Sequence, residues 1–473
     1  MTALLVYFSS GFRRRVLPIS VLALTTLPII AAETNAPGLL PLMPKWVTEA
    51  SLTVRESYDN NVFLAGASGR YLPLVYTIPA NGVAALKNQY SWITIVSPKI
   101  GLELAPLMGN NGVLQALTLG YAADFVTFHD APSENYDVHR LATGVRLASD
   151  DLTCKADNLF TCVDGGRTAA SYPGVGLYSA FVSDQATRDR RAQALDRASA
   201  SLQYDQPAWF VRSVGALVNC NFLTRQYSST NYSGYMNYVD RYDVNVGGDF
   251  GYKLATNLAI TAGYRIGRQH QDKLPVGIDP YQQSSSCEYQ RFLLGVEGLP
   301  CDWLTVRVQA GPDFRDYAAS APVRHDSSVT FYEESSLEAR VTPDDILAFT
   351  SRQCRWVSSS GKIPYDGSSF VLNYLRKVTD ALSLNVGFRA VRFDYHCALS
   401  YSAGLSTPAT APVVGRDDWD YIGSIGAAYA FTPYFGMDLN YSASFGRNAD
   451  GTVLADTRNF NDQIVSLGAT IRF

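Results

Sequence analysis

Eighteen stretches of this 473-residue chain alternate apolar and polar residues with a period of two. Successive side chains of a strand point to opposite faces, so a period of two means a strand with one apolar and one polar side. Leu258, Ile260, Ala262, Tyr264 and Ile266 share one face of such a stretch, and Ala259, Thr261, Gly263 and Arg265 share the other. Val244, Val246, Phe250 and Tyr252 oppose Asn245, Gly247, Asp249 and Gly251 in the same way. Phe435, Met437, Leu439 and Tyr441 do so against Gly436, Asp438, Asn440 and Ser442. The stretches run over 46–60, 90–104, 113–128, 136–148, 152–162, 188–204, 209–226, 237–252 and 257–270. The other nine are 286–298, 303–316, 328–341, 345–357, 367–378, 381–396, 417–431, 434–446 and 460–473. A chain patterned this way is all-β.

The connections narrow the choice of β fold. They alternate between short ones, such as Ser149-Asp150-Asp151, Thr342-Pro343-Asp344, Thr379-Asp380 and Thr432-Pro433, and mostly longer polar ones. The longest are 61–89, 163–187 and 397–416. An even number of antiparallel strands with short turns at one end and long loops at the other is the layout of an outer-membrane barrel. Stretch 152–162 alternates least clearly, and parity supports it: without it, two neighbours would run the same way across 149–187. The expected fold is a transmembrane antiparallel β-barrel of about 18 strands over residues 46–473, or 16 on a stricter reading. Trp46, Trp209 and Trp303 then follow the short turns, and Trp92, Trp356 and Trp419 fall at the loop ends. All six are expected in the interfacial aromatic girdles.

Composition excludes the main alternatives. Tyr 29 and Phe 22 within 47% hydrophobic content is too much apolar matter for a disordered chain. No internal apolar run approaches the ~20 residues of a spanning helix. The net charge of −4, without basic runs beyond the N-terminal Arg13 to Arg15, gives no footprint for nucleic acid. At the N-terminus, Arg13, Arg14 and Arg15 precede an apolar stretch from Val16 to Ile30, with small residues at Ala31 and Ala32. This is the pattern of an export signal, cleaved after residue 32. Residues 33–45, with Pro37, Pro41 and Pro44, read as a periplasmic leader too short to fold into a plug.

Seven cysteines (Cys154, Cys162, Cys220, Cys287, Cys301, Cys354 and Cys397) form no CxxC or Cys/His cluster, and an odd number cannot all pair internally. They read as isolated apolar thiols. Asp59-Asn60-Asn61 offers oxygen ligands for calcium, but Asp and Asn at a strand exit are more simply turn residues. No cofactor or metal site is expected.

The chain ends on Val465, Leu467, Ala469, Ile471 and Phe473 at every second place. A terminal aromatic closing an alternating strand resembles the assembly signal read by the barrel-insertion machinery of Gram-negative outer membranes. At the other end, Trp46 to Phe63 resembles the opening strand of a family of β-barrel porins, in which the strand runs into a Tyr-Asp-x-Asn-(Val/Ile)-Phe turn. Tyr58, Asp59, Asn61, Val62 and Phe63 carry the match. Elsewhere the likeness is one of pattern. It implies a single barrel in the cell outer membrane, in contact with its lipid and with the assembly machinery, as a monomer or a homo-oligomer. Some barrels related to that family look like exopolysaccharide-export components.

A bare barrel this wide encloses an aqueous channel. The expected function is therefore a porin-like channel for passive diffusion of small hydrophilic solutes. The alternative is a barrel component of an exopolysaccharide export system, and the more distant one an outer-membrane hydrolase. The alternation assigns cations to the lumen wall at Arg55, Lys99, Arg140, Arg146, Lys155, Arg191 and Arg197, and at Arg265, Arg307, Arg340 and Arg389. The acids are Glu103, Asp124, Asp157, Asp249, Glu297, Glu338 and Asp438. This excess of cations would give a mild anion preference, unless the charges pair between strands and cancel. An inward-folding loop, such as 61–89 or 163–187, would narrow the channel. No GxSxG, HExxH or P-loop is present, so catalysis is not expected. His129 with Asp130, His396 with Asp394, and His325-Asp326-Ser327 are the residue types a hydrolase at the rim would need.

Overall fold

The computed structural model describes residues 43–62, 70–71, 84–85, 90–109, 112–165, 192–223, 239–273, 284–319, 321, 323–324, 328–357, 364–397, 417–448 and 459–473. Eighteen long strands close into one antiparallel barrel. In chain order they are β1 (Val47–Asp59), β2 (Ser91–Glu103), β3 (Leu114–Phe128), β4 (Tyr136–Ala148), β5 (Leu152–Gly165) and β6 (Gln193–Asp205). Then come β7 (Trp209–Phe222), β8 (Arg241–Ala255), β9 (Leu258–Gln271), β10 (Cys287–Cys301), β11 (Leu304–Tyr317) and β12 (Val329–Thr342). The circuit finishes with β13 (Asp345–Val357), β14 (Pro364–Lys377), β15 (Leu382–Asp394), β16 (Asp417–Ala430), β17 (Phe435–Asn448) and β18 (Phe460–Arg472). Every alternating stretch of the sequence is one of these strands, including the weakly patterned one at β5. Each strand pairs with its chain neighbours, and β18 pairs with β1 from Ser51↔Arg472 to Asp59↔Ile464. The Phe473 amide, bonded to the Ala50 carbonyl at 2.9 Å, ends that seam.

Closure satisfies the backbone of every strand and leaves no edge, as a β protein in lipid requires. The short turns, the start of β1 and the end of β18 lie at one end, and the long connections at the other. Among the described residues no helix is long and apolar enough to cross a membrane; crossing is by strands. The outer face carries large apolar side chains around the wall, among them Val246, Ile260, Leu294, Phe388, Ile425 and Leu439, each 45–73% exposed. An exposed apolar surface this continuous is stable against acyl chains and not against water.

At Gly251 the register places the ring of Phe210 directly opposite, where a Cβ would collide with it. Gly298, at φ +134°, turns the end of β10 into its bulge. At the exit of β1, the Asn61 amide donates to Asp59 Oδ1 at 2.7 Å, which is turn chemistry and needs no cation. Residues 1–42, including the export signal and most of the leader, lie outside the described residues.

Candidate functional site: the lumen

Side chains on the inward set of each strand face one another across the barrel, and most of the charged ones meet a partner on the same or a nearby strand. Arg55 on β1 bonds Asp438 on β17 at 2.9 Å, and Lys99 on β2 reaches Glu49 on β1 at 2.8 Å. Arg140 and Asp124 pair at 2.8 Å, and Asp124 also accepts from Ser97. Asp249 is shared by Arg265 at 2.7 Å and Arg212 at 2.9 Å, and Arg212 also holds Glu297 at 2.9 Å. Arg340 pairs with Glu338 at 3.0 Å. Glu103 instead accepts from the amides of Ala105 and Leu117, so it ties down the connection between β2 and β3. Arg389 is buried in the wall of β15. Arg146, Lys155, Asp157 and Arg307 line a cavity of about 550 Å³ in the lumen. Arg197, also inward, has Nε and Nη2 buried with no hydrogen-bond partner among the described residues. Arg191 lies outside the described residues, as does His325. Pairing between strands thus removes much of the cationic excess that the sequence suggests.

The four-residue network of Arg212, Asp249, Arg265 and Glu297 joins β7, β8, β9 and β10. Asp249 is 4% exposed and serves two guanidinium groups. Asp249→Ala would leave both cations in a poorly hydrated wall, at a cost of about 3 kcal/mol. Urea unfolding in lipid vesicles is expected to show that loss, with Asp249→Asn milder.

The lumen is not an open cylinder. Near the loop end an apolar cluster joins opposite walls, with Leu195, Val218 and Cys220 from β6 and β7 packed with Tyr332, Trp356 and Phe393 from β12, β13 and β15. The tip of β13 leans inward to meet strands two, four and five places away in the wall. Its Arg355 carbonyl accepts from Gln269 Nε2 of β9 at 3.2 Å and from Arg315 Nη2 of β11 at 2.7 Å. The Val357 carbonyl accepts from Arg241 of β8, whose guanidinium lies 5.7 Å from the Trp356 ring centroid. Beneath these donors, Asp313 holds Arg291 at 3.2 Å and Arg315 at 2.8 Å, and Asp243 accepts from Gln269 and from Tyr289, both at 2.8 Å. A second apolar cluster, including Ile93, Phe128 and Tyr136, lines the loop end of β2 to β5. Wall strands thus narrow the bore; loops 61–89 and 163–187, the candidates for an inward fold, lie largely outside the described residues.

Trp356 is accordingly not a girdle residue: it is 3% exposed and faces the lumen. Trp92, Trp209 and Trp303 do face outward, at 54%, 36% and 52% exposure. Sequence reasoning also missed Arg212, Asp243, Arg291, Asp313, Arg315 and Arg352 as lumen residues. The reason is local. On β7 the inward set is Phe210, Arg212, Val214, Ala216 and Val218, and the outward set includes Ser213, Gly215 and Asn219, so polarity does not mark the face there. The assembly-signal residues share the outer face: Val465, Leu467, Ile471 and Phe473 are 42–49% exposed, with Ala469 half-buried between them.

All seven cysteines are free, and the described residues contain no cluster of metal-ligating groups. His396 Nδ1 lies 2.5 Å from Asp394, and His129 bonds Thr94 at 2.8 Å while Asp130 accepts from the Trp92 amide.

No protein-family model matches the chain, and no curated protein does. Among solved structures, Acinetobacter baumannii OccAB2 is similar at 12% identity over 90% of this chain and 98% of its own, with a TM-score of 0.40. Pseudomonas aeruginosa OccK2, solved with glucuronate, gives 12% identity, 90% and 96% coverage and a TM-score of 0.39. The siderophore receptor PirA of Acinetobacter baumannii gives 8%, 90%, 81% and 0.38. The chain's own geometry decides its place: an even, closed, antiparallel wall, short turns beside both strand termini, and an apolar, aromatic-flanked exterior. The protein is an outer-membrane β-barrel.

Proposed function

We propose that this barrel is a porin-like channel through which small hydrophilic solutes diffuse passively. The observation that carries the reading is a charged and polar inner face in an 18-stranded wall, a size at which side chains do not fill the bore. Because Arg55, Arg140 and Arg265 are each matched by a carboxylate, the wall as a whole selects weakly between ions. Refolded residues 33–473 in a planar bilayer are expected to give steady open steps; a silent bilayer would overturn the channel. The apolar bridge between β6–β7 and β12–β15 favours a second reading, an export barrel for exopolysaccharide that rests narrow. Rare, brief openings that become frequent only with a partner would support it.

The outer-face row from Val465 to Phe473 supports recognition by the insertion machinery as the barrel is assembled. Deleting Phe473 is expected to lower the amount of heat-modifiable barrel in the outer membrane about tenfold, with Arg472→Lys unchanged. Equal amounts in both would remove the terminal ring from the signal.

A further inference from the structure

On the outer wall, β12, β13 and β14 carry a polar patch inside the apolar belt. Glu334 on β12 stands opposite Arg352 on β13 and both line the lumen cavity, so the alternate set of each strand faces out. That set brings Glu333, Ser335, Ser351 and Gln353 together, with Ser368 of β14 opposite Gln353. Ser335 is the seventh of the fourteen residues of β12 and Ser351 the seventh of the thirteen of β13, so the patch lies near mid-height in the wall. Phe331 and Val341 bracket it along β12, and Leu347, Phe370 and Leu372 flank it on β13 and β14, all outward and exposed. Ser335 and Ser351 both donate to Glu333 Oε1, the latter at 2.7 Å. Two other outward carboxylates are met within the wall in the same way, Asp196 by Asn158 and Glu56 by Thr94, both at 2.6 Å. The patch differs from those pairs at Gln353 and Ser368. Among the described residues their side chains make no hydrogen bond, and no donor reaches Glu333 Oε2. Acyl chains offer such open polar groups nothing, so leaving them against lipid is costly.

We propose that this patch is the interface between two copies of the chain, related by a twofold axis along the membrane normal. Glu333 and Gln353 stand directly opposite each other, so an acceptor lies on one side of the line between β12 and β13 and an amide donor on the other. A half turn about an axis on that line sets β12 of each copy against β13 of the other. The Gln353 amide of one copy then meets the Glu333 carboxylate of the other, and symmetry makes the contact twice, as an isologous interface requires. Ser335 and Ser351 flank the same line, where small side chains let the two walls approach closely. A foreign protein would need a donor and an acceptor at the same spacing and depth; a second copy has both by construction. Such a dimer stands whether or not either bore conducts.

Sedimentation equilibrium of refolded residues 33–473 in density-matched detergent reads the assembly, on samples whose heat-modifiable migration shows that the barrel has formed. A dimer is expected for the parent. Gln353→Glu sets carboxylate against carboxylate across the axis and is expected to weaken that dimer about tenfold or more. Glu333→Gln combined with Gln353→Glu exchanges acceptor and donor and is expected to restore it. Glu333→Leu with Gln353→Leu is expected to give a folded monomer, because leucine suits the lipid face. Asp196→Asn, on the outer face of β6, is the control and should dimerise like the parent. A parent that is monomeric at every concentration overturns the interface. So does a dimer that Gln353→Glu leaves intact, that the exchanged pair fails to restore, or that Asp196→Asn weakens equally. A trimer or larger ring overturns the twofold arrangement.

Discussion

Leu294→Arg is expected to destabilise the barrel by about 2–4 kcal/mol in lipid, the cost of an arginine on the lipid face near the bilayer midplane. Leu294 is the eighth residue of the fifteen in β10 and the most exposed large apolar side chain described, at 73%. Its register partners, Ala262 on β9 and Ala310 on β11, are too small to shield it. In water the same substitution would relieve an exposed apolar residue and cost nothing. Equilibrium urea unfolding in bilayer vesicles, with Leu294→Ala as the size control, separates the two. A shift of under half a kcal/mol for the arginine would mean that the outer face does not meet lipid.

Trp356→Ala is expected to widen the channel, with single-channel conductance rising about twofold or more. The indole sits where the β13 tip crosses toward β8, beneath the Arg241 guanidinium, and packs with the cluster that joins both walls. Its removal takes away the largest side chain of that cluster. The same change costs about 3–5 kcal/mol of packing, so Trp356→Leu, which keeps most of the volume, guards against a variant that fails to refold. Trp303→Ala, on the outer face at the turn end, is the control and should leave conductance as it was. If Trp356→Ala folds and conducts like the parent, the bridge does not lie on the solute's path.

These two positions mark the limits of what alternation can reveal. Leu294 is legible because its neighbours on the same face, Phe292 and Val296, are apolar while the opposite set includes Arg291, Gly295 and Glu297. Trp356 is not, because Cys354 and Trp356 are apolar residues that point inward, and an apolar inward set reads like a lipid-facing one. The same inversion hid Arg212 on β7 and Arg291 on β10, each flanked on its own face by Phe210 and Val214 or by Tyr289 and Leu293. Pairing between strands could be anticipated, but not its partners: Arg265 with Asp249, and Arg55 with Asp438, are brought together by register and by the closing seam.

The period of two and the parity of the connections were sufficient for an 18-stranded barrel in a membrane. The physical reason is that lipid demands an apolar outer face on every strand and a partner for every backbone group, and both demands are local enough to be written residue by residue. What lies inside the barrel obeys no such rule. Water in the lumen tolerates Arg146 and Leu195 alike, so the inward face records contacts between strands far apart in the chain. Only the curvature of the closed wall decided that β13 would reach β8, β9 and β11, and that an apolar bridge would cross the bore.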